Sequence, residues 1–176
     1  SSLKSWSINL YKNQQTFPKT FKVIDAFPQI VSASFNLLEP HSKIKPHNGD
    51  TNAIFRCHLG LIIPKEQDSC GFTVNGETRK WEEGKMLIFV DGLYHEAFNN
   101  TNEERYIFLF DVIRDEYLNK KNYVCSTVVT ALFLQKFAEK MKFLYDSPTW
   151  FNKIVGYAIH PFARISIYLS NLFKVY

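Results

Sequence analysis

The sequence predicts a mainly β domain of jelly-roll type followed by a helical C-terminal extension. Three observations carry this. Between about residues 21 and 113 short β-prone runs alternate with turn signals, as in an all-β barrel or sandwich. There are eight such runs, the number that suits a jelly roll. Beyond about residue 122 the apolar residues fall three and four apart rather than two. At 176 residues the chain is long enough for one sizeable core and short for two, so a single unit with an appendage is expected.

In chain order the expected strands are 21–26, 30–38, 53–63, 71–74, 77–81, 86–90, 95–98 and 105–112. Asn75-Gly76, set between Phe72-Thr73-Val74 and Glu77-Thr78-Arg79, is the pair that a type I′ hairpin turn favours. Gly84 and Asp91-Gly92 are further turn candidates. In the run through residues 53–59, period two puts Arg56, His58 and Gly60 on one face and Phe55, Cys57 and Leu59 on the other. One face is therefore polar and functional in character, the other apolar.

The helical reading begins at residues 127–145, where Phe133, Phe137, Met141 and Leu144 form an apolar stripe. Asp146-Ser147-Pro148 breaks it. A second apolar segment, 150–176, is interrupted by His160-Pro161 and carries Arg164 and Lys174, so spanning a bilayer is not expected of it. Interfacial binding and packing on the barrel both stay open.

The net charge of +4 is uneven. Residues 117–176 hold eight Lys/Arg against Glu139 and Asp146, or +6, which leaves −2 for residues 1–116. The acidic half argues against nucleic-acid binding, and the basic tail raises peripheral membrane contact as a reading beside that of a solvated helix face. Cys57, Cys70 and Cys125 show neither a zinc spacing nor an even count, so a reducing compartment is expected, with the cytoplasm as default and membrane association as the variant. No secretory signal is expected at the N-terminus, which lacks an apolar run.

Chemistry concentrates in three clusters on strands or at their ends: Pro46-His47-Asn48-Gly49-Asp50-Thr51-Asn52, Arg56-Cys57-His58-Leu59-Gly60-Leu61, and His95-Glu96 followed by Arg105. Two imidazoles from distant strands suit a borderline cation and leave coordination positions open. An arginine fork matches a carboxylate. Arg105 opens the last strand, where its inward guanidinium would call for an anionic partner.

The strings KPHNGDTN, RCHLGLIIP, CGF, WEEGKMLIF and HEAFN, in this order and followed by Arg105, resemble the aspartyl/asparaginyl β-hydroxylase domain of the Fe(II)/2-oxoglutarate oxygenases. The resemblance runs from about residue 16 to residue 111. It implies a double-stranded β-helix, cupin-like, in residues 1–116 with an N-terminal extension; charge and periodicity set 117–176 apart as a basic, apolar helical tail packed on the core or at a membrane surface. It implies Fe(II) held by His47 and His95, with 2-oxoglutarate and O2 as co-substrates. Arg105 looks like the partner of the distal 2-oxoglutarate carboxylate, with Arg56, His58 and Asn36 as further co-substrate contacts. Asn36 stands where the family often has serine. Gly49 stands where the wider superfamily has a third, carboxylate ligand, and this family is similar to our sequence in having glycine. Asp50 beside it is read as a hydrogen-bond partner for metal-bound water, not as a ligand.

The activity so implied is hydroxylation, first of an Asp or Asn residue or a related amino-acid substrate. An alternative follows the related lipid A acyl-chain hydroxylases, acting at a membrane surface. A third reading, from another class, is a non-catalytic cupin-like module that holds a metal or small acid. The expected partner is accordingly a peptide, amino-acid or lipid substrate.

Overall fold

The structure, a computed structural model, describes residues 1–66, 69–140 and 147–173. Among these, strands β1 (Ser2–Ser5) and β2 (Ile8–Asn9) lead into helices α1 (Tyr11–Thr16) and α2 (Pro18–Asp25). Strands β3 (Ile30–Leu38), β4 (Ser42–Asn48), β5 (Ile54–Ile62), β6 (Cys70–Val74), β7 (Glu77–Arg79), β8 (Met86–Val90), β9 (Tyr94–Asn99) and β10 (Arg105–Ile113) follow. A 3-10 turn, Asp115–Lys120, then connects to α3 (Lys121–Lys140), and the last helix is α4 (Thr149–Phe173).

Strands of one sheet run in the order β2-β1-β3-β10-β5-β8 and those of the other β4-β9-β6-β7. All the pairings between named strands are antiparallel. This is the two-sheet, jelly-roll architecture that the sequence predicts. The central position of β10, between β3 and β5, brings Arg105 opposite Leu38 and Asp111 opposite Arg56.

Three packed clusters divide the interior. Leu38, Cys70, Phe72, Trp81, Phe89, Ala97 and Ile107 fill the space between the sheets near the polar inner face of β5 and β10, where His58 and Arg105 also lie buried. Outside the larger sheet, Leu3, Ile24, Ile30 and Ala33 pack with Phe17, Phe35, Phe108 and Phe110 beneath α1 and α2. At the base, Ile54 and Ile113 meet Trp6, Cys125, Val128 and Ile167, so that α3 and α4 are anchored to the sheet. All three cysteines are free and buried, and burial pushes the Cys57 thiol up to about 11, as suits a small packed hydrophobe.

Several elements depart from the sequence expectation. The run 21–26 is helix, not strand: Pro18 supplies the fixed φ of a first helical turn, and burial falls on Ile24 while Val23 points outward at 60% exposure. Strand β4 is new. Six of its seven residues are exposed, and Pro46 sits in it because it is an edge strand, so it carries no alternation to read. The β1–β2 hairpin turns on Trp6 and Ser7, both at positive φ (46° and 68°), in a turn that Asn and Gly usually mark. Burial of the Trp6 indole in the basal cluster holds that conformation without them. By contrast Asn75 and Gly76, at φ 47° and 84°, form the turn their types predict.

In α3 the buried face is Cys125, Ser126, Val128 and Thr130, not the expected stripe. Phe133 and Phe137 stack on each other, half exposed, while Met141 and Leu144 lie outside the described residues. Helix α4 continues through Pro161 instead of stopping there. Among the described residues no helix is long and apolar enough to cross a membrane.

One buried side chain ties the two sheets where β10 begins. Asn99 Nδ2 faces the carbonyls of Leu38 (3.2 Å), Glu39 (3.1 Å) and Glu103 (2.8 Å), and its Oδ1 accepts from the Thr101 N–H and hydroxyl. Asn99→Ala would leave these groups without partners in a fully buried place. We expect a loss of roughly 2–4 kcal/mol in chemical denaturation, with an unchanged denaturant slope.

Candidate metal and co-substrate site

His47 and His95 face each other across the β4–β9 pairing, in direct register, with ring centroids 4.3 Å apart. Each imidazole is fixed in the same way. Nδ1 of His47 donates to the Lys45 carbonyl at 2.8 Å, and Nδ1 of His95 to the Leu93 carbonyl at 2.7 Å, two residues back in both cases. A carbonyl can only accept, so the hydrogen sits on Nδ1 and the Nε2 lone pair of each ring is left to bind an ion. Burial lowers the pKa of His95, and His47 nearby adds to this, which favours the neutral, ligating form. Among the described residues no group of three His, Cys, Asp or Glu side chains gathers as a metal site, so a bound ion would depend on these two nitrogens and non-protein ligands.

The wall behind the pair is aromatic. Phe89 lies 5.0 Å and Phe72 5.7 Å from the His95 ring, and the same two rings flank His58 at 5.3 and 4.9 Å. His58 accepts a hydrogen bond on Nδ1 from the Trp81 indole at 3.3 Å, and its Nε2 is buried without a partner among the described residues. Accepting at Nδ1 makes Nε2–H the neutral tautomer, a donor in want of an acceptor. Burial holds the His58 pKa well below the ordinary 6.5, with Arg105, Arg56 and His95 adding to the effect.

Arg105 is the largest fully buried side chain, 2% exposed. Its guanidinium lies 4.4 Å over the Trp81 ring, and Nε and Nη1 have no hydrogen-bond partner among the described residues. Burial pushes its pKa down to about 10, so it stays charged at neutral pH. A buried guanidinium with two unpartnered nitrogens near a partnerless histidine N–H has donors of the kind a carboxylate would accept from.

Arg56, on the same face of β5 as His58, has partners within the protein. Nε and Nη2 pair with both oxygens of Asp111, at 2.8 and 3.1 Å, and Nη1 lies 2.5 Å from Asp91 Oδ1. Its fork joins two aspartates of the protein. Asn36, opposite Ile107 on the neighbouring strand, donates to the Ser34 hydroxyl at 2.7 Å and is half-buried.

Asp91, which the sequence marks only as a turn residue, belongs to the site. Its carboxylate fills the space where a Cβ on Gly49 would lie, and it accepts from the Asp50 N–H at 3.0 Å. Gly49 also donates its N–H to the Asp91 carbonyl, and Asn48 Nδ2 donates to Gly92 O. The missing side chain at Gly49 is the sequence signal for this contact: a buried carboxylate from the end of another strand takes its room. Asp50 therefore meets Asp91 through its backbone, and desolvation beside the cluster raises the pKa of its own carboxyl, against the opposing pull of Arg56.

The family model described as aspartyl/asparaginyl beta-hydroxylase matches residues 1–115. The chain belongs to this family. It is 38% identical over 104 residues to human aspartyl/asparaginyl beta-hydroxylase, covering 56% of this chain and 14% of that protein. It is 32% identical over 112 residues to the ornithine lipid ester-linked acyl 2-hydroxylase of Rhizobium tropici, covering 64% and 40%. Mouse aspartate beta-hydroxylase domain-containing protein 2 is 32% identical over 110 residues, 57% and 31%. The chain thus spans less than half the length of each of these relatives. Among solved structures, a predicted oxalate decarboxylase from Thermotoga maritima matches at TM-score 0.41 and 14% identity, covering 57% of this chain and 74% of that one. The cupin domain of Schizosaccharomyces pombe Cnp3 does so at TM-score 0.41 and 14% identity, covering 53% and 63%. The family match ends just past β10, so α3 and α4 fall outside it.

Two measurements check this arrangement without a ligand. Asp111→Ala would leave Arg56 short of its bidentate partner in a mostly buried place, and a loss of roughly 3–5 kcal/mol in unfolding free energy is expected. His58 takes up a proton near pH 6.5 when unfolded and resists it when folded. Stability should therefore fall as pH drops below about 6.5, by up to about 1.4 kcal/mol per pH unit for each such group. His58→Gln, compared by denaturation across that range, should show a shallower decline.

Proposed function

We propose that this chain is an Fe(II)- and 2-oxoglutarate-dependent hydroxylase, with His47 and His95 holding the iron and Arg105 the distal carboxylate of the co-substrate. One observation carries the reading: two imidazoles in register, each with Nδ1 on a backbone carbonyl, are linked through Phe72 and Trp81 to a buried guanidinium whose Nε and Nη1 have no hydrogen-bond partner among the described residues. The donor set fits the group. Two imidazoles suit Fe(II), and a planar fork suits a dicarboxylic acid. When bound, the iron supplies the redox chemistry by which O2 and 2-oxoglutarate are converted, with succinate and CO2 released, and one oxygen atom enters a substrate C–H bond.

The residues of the chain bind and orient. Arg105, stacked on Trp81, directs its two free nitrogens to the carboxylate, and His58 offers its Nε2–H as a further donor. Phe72, Phe89 and Trp81 keep water from this wall of the site, which strengthens each charged contact there. Carbonyls of Lys45 and Leu93 hold the two imidazoles in their ligating tautomer. Arg56, through Asp91, keeps the chain after β4 against the turn after β8, and so keeps His47 opposite His95.

The first substrate reading is an Asp or Asn residue, supported by the human relative and the family description. A second reading, an acyl chain presented at a membrane, draws on the Rhizobium tropici relative and on the apolar outer face of α4. Release of succinate over a panel of Asp/Asn peptides, free amino acids and acylated lipids separates the two. Absence of any succinate, with or without these substrates, would point instead to a binding module.

Anaerobic addition of Fe(II) and 2-oxoglutarate should give a weak visible charge-transfer band that His47→Ala abolishes. Arg105→Met should raise the 2-oxoglutarate requirement by a factor of about 30 or more, the loss of one buried charge pair. A folded wild-type chain without the band would sink the proposal.

A further inference from the structure

Helix α4 carries apolar residues on its solvent side as well as on the side that packs. The side turned to the protein carries Gly156, Ala163, Ile167 and Ser170, with Val155 and Ile159 partly covered beside them. The side turned to solvent carries Trp150, Ile154, Tyr157, Ile165, Tyr168 and Leu172, between 53% and 78% exposed. Their spacing of three, four or, around Pro161, eight residues draws one stripe along the whole helix, which at about 1.5 Å per residue is roughly 37 Å long. Phe162, 70% exposed, and the stacked pair Phe133–Phe137 of α3 extend the patch sideways. A solvated helix face does not look like this.

Charge selects what covers the patch. No acidic residue occurs anywhere in Thr149–Phe173, and Lys153 and Arg164 stand exposed along the flank of the stripe. Residues 117–176 as a whole carry eight Lys/Arg against two acidic residues. A second copy of the same face would bring Lys153 and Arg164 against their own kind. An anionic lipid surface meets both demands at once: acyl chains take the Ile and Leu side chains, the headgroup level takes Trp and Tyr, and lipid phosphates take the two cations. No described helix is apolar enough to span, so the helix would lie in the plane of the interface.

We infer that the exposed stripe of α4, flanked by Lys153 and Arg164, is a docking surface for anionic membranes. The inference stands apart from the hydroxylase reading, since vesicle binding needs neither iron nor co-substrate.

The full chain supplies its own probe. Trp6 and Trp81 are buried at 5% and 3%, whereas Trp150 is 63% exposed, so a change in tryptophan emission on docking reports Trp150. With mixed phosphatidylglycerol/phosphatidylcholine vesicles we expect flotation of the protein and a blue shift, both reduced with pure phosphatidylcholine. The charge-reversal pair Lys153→Glu/Arg164→Glu should weaken binding roughly tenfold or more. Tyr157→Ser/Tyr168→Ser, at positions that touch no core, should abolish it while circular dichroism and melting stay unchanged. Failure of the folded wild-type chain to float would overturn the inference. So would a dimer in light scattering that the tyrosine pair converts to monomer with no vesicle binding in either form, because the face would then belong to a second copy.

Discussion

Arg56 is the joint on which the site depends. Its guanidinium binds Asp111 on the next strand and Asp91 at the end of β8, and Asp91 in turn receives the N–H of Asp50 and occupies the room left by Gly49. Four stretches of chain, β5, β10, the turn after β8 and the turn after β4, thus meet at one buried ion cluster. Two carboxylates against one guanidinium leave the cluster short of positive charge, and burial raises the pKa of Asp91 while Arg56 lowers it. Such a cluster is costly to desolvate and adds little net stability, but it admits few alternative arrangements. Its effect is to fix the strand that brings His47 opposite His95.

The polarity of the larger sheet follows from the same constraint. Its inner face, which packs toward the second sheet, presents Arg56, His58, Arg105 and Asp111, while its outer face presents Phe108, Phe110 and Leu59. These polar groups share that face with Ile107 and Leu109, which pack in the apolar cluster between the sheets, while α1 and α2 cover part of the outer face and form an apolar cluster of their own. The two buried arginines differ: Arg56 is paired by carboxylates of the protein, whereas Arg105 stacks on Trp81 with Nε and Nη1 unpartnered among the described residues.

Much of this arrangement is legible in the order of residues alone. Period two in β5 separates Arg56 and His58 from Phe55 and Leu59, and the strands with strong alternation fall within a residue or two of their expected bounds. The Asn75-Gly76 turn can be read from residue type. What stays hidden has physical causes. Strand β4, an exposed edge with a proline, has no buried face to imprint a pattern, although it carries His47. The hairpin at Trp6-Ser7 is held by burial of an indole, which local propensity does not record. Arg56 looks free in the sequence because its partners lie 35 and 55 residues away in the chain, on strands whose register no motif states. In α3 the apolar stripe is real, but it marks a surface, and the buried side is made of small and polar residues that hydropathy passes over.

Edge position has a further consequence for β4. The register of its pairing with β9 slips between Ile44 and His47, and only the end after His47 is riveted to the β8–β9 turn. The start of β4 is held as well, by the Asn99 side chain on the Leu38 and Glu39 carbonyls and by His41 against Asn102, so the irregular stretch between Ile44 and His47 is where this exposed edge can give. An ion held by both His47 and His95 would clasp the edge just beyond that stretch. Ion loading and the order of the strand would then form one linked equilibrium, in which each favours the other by the same free energy.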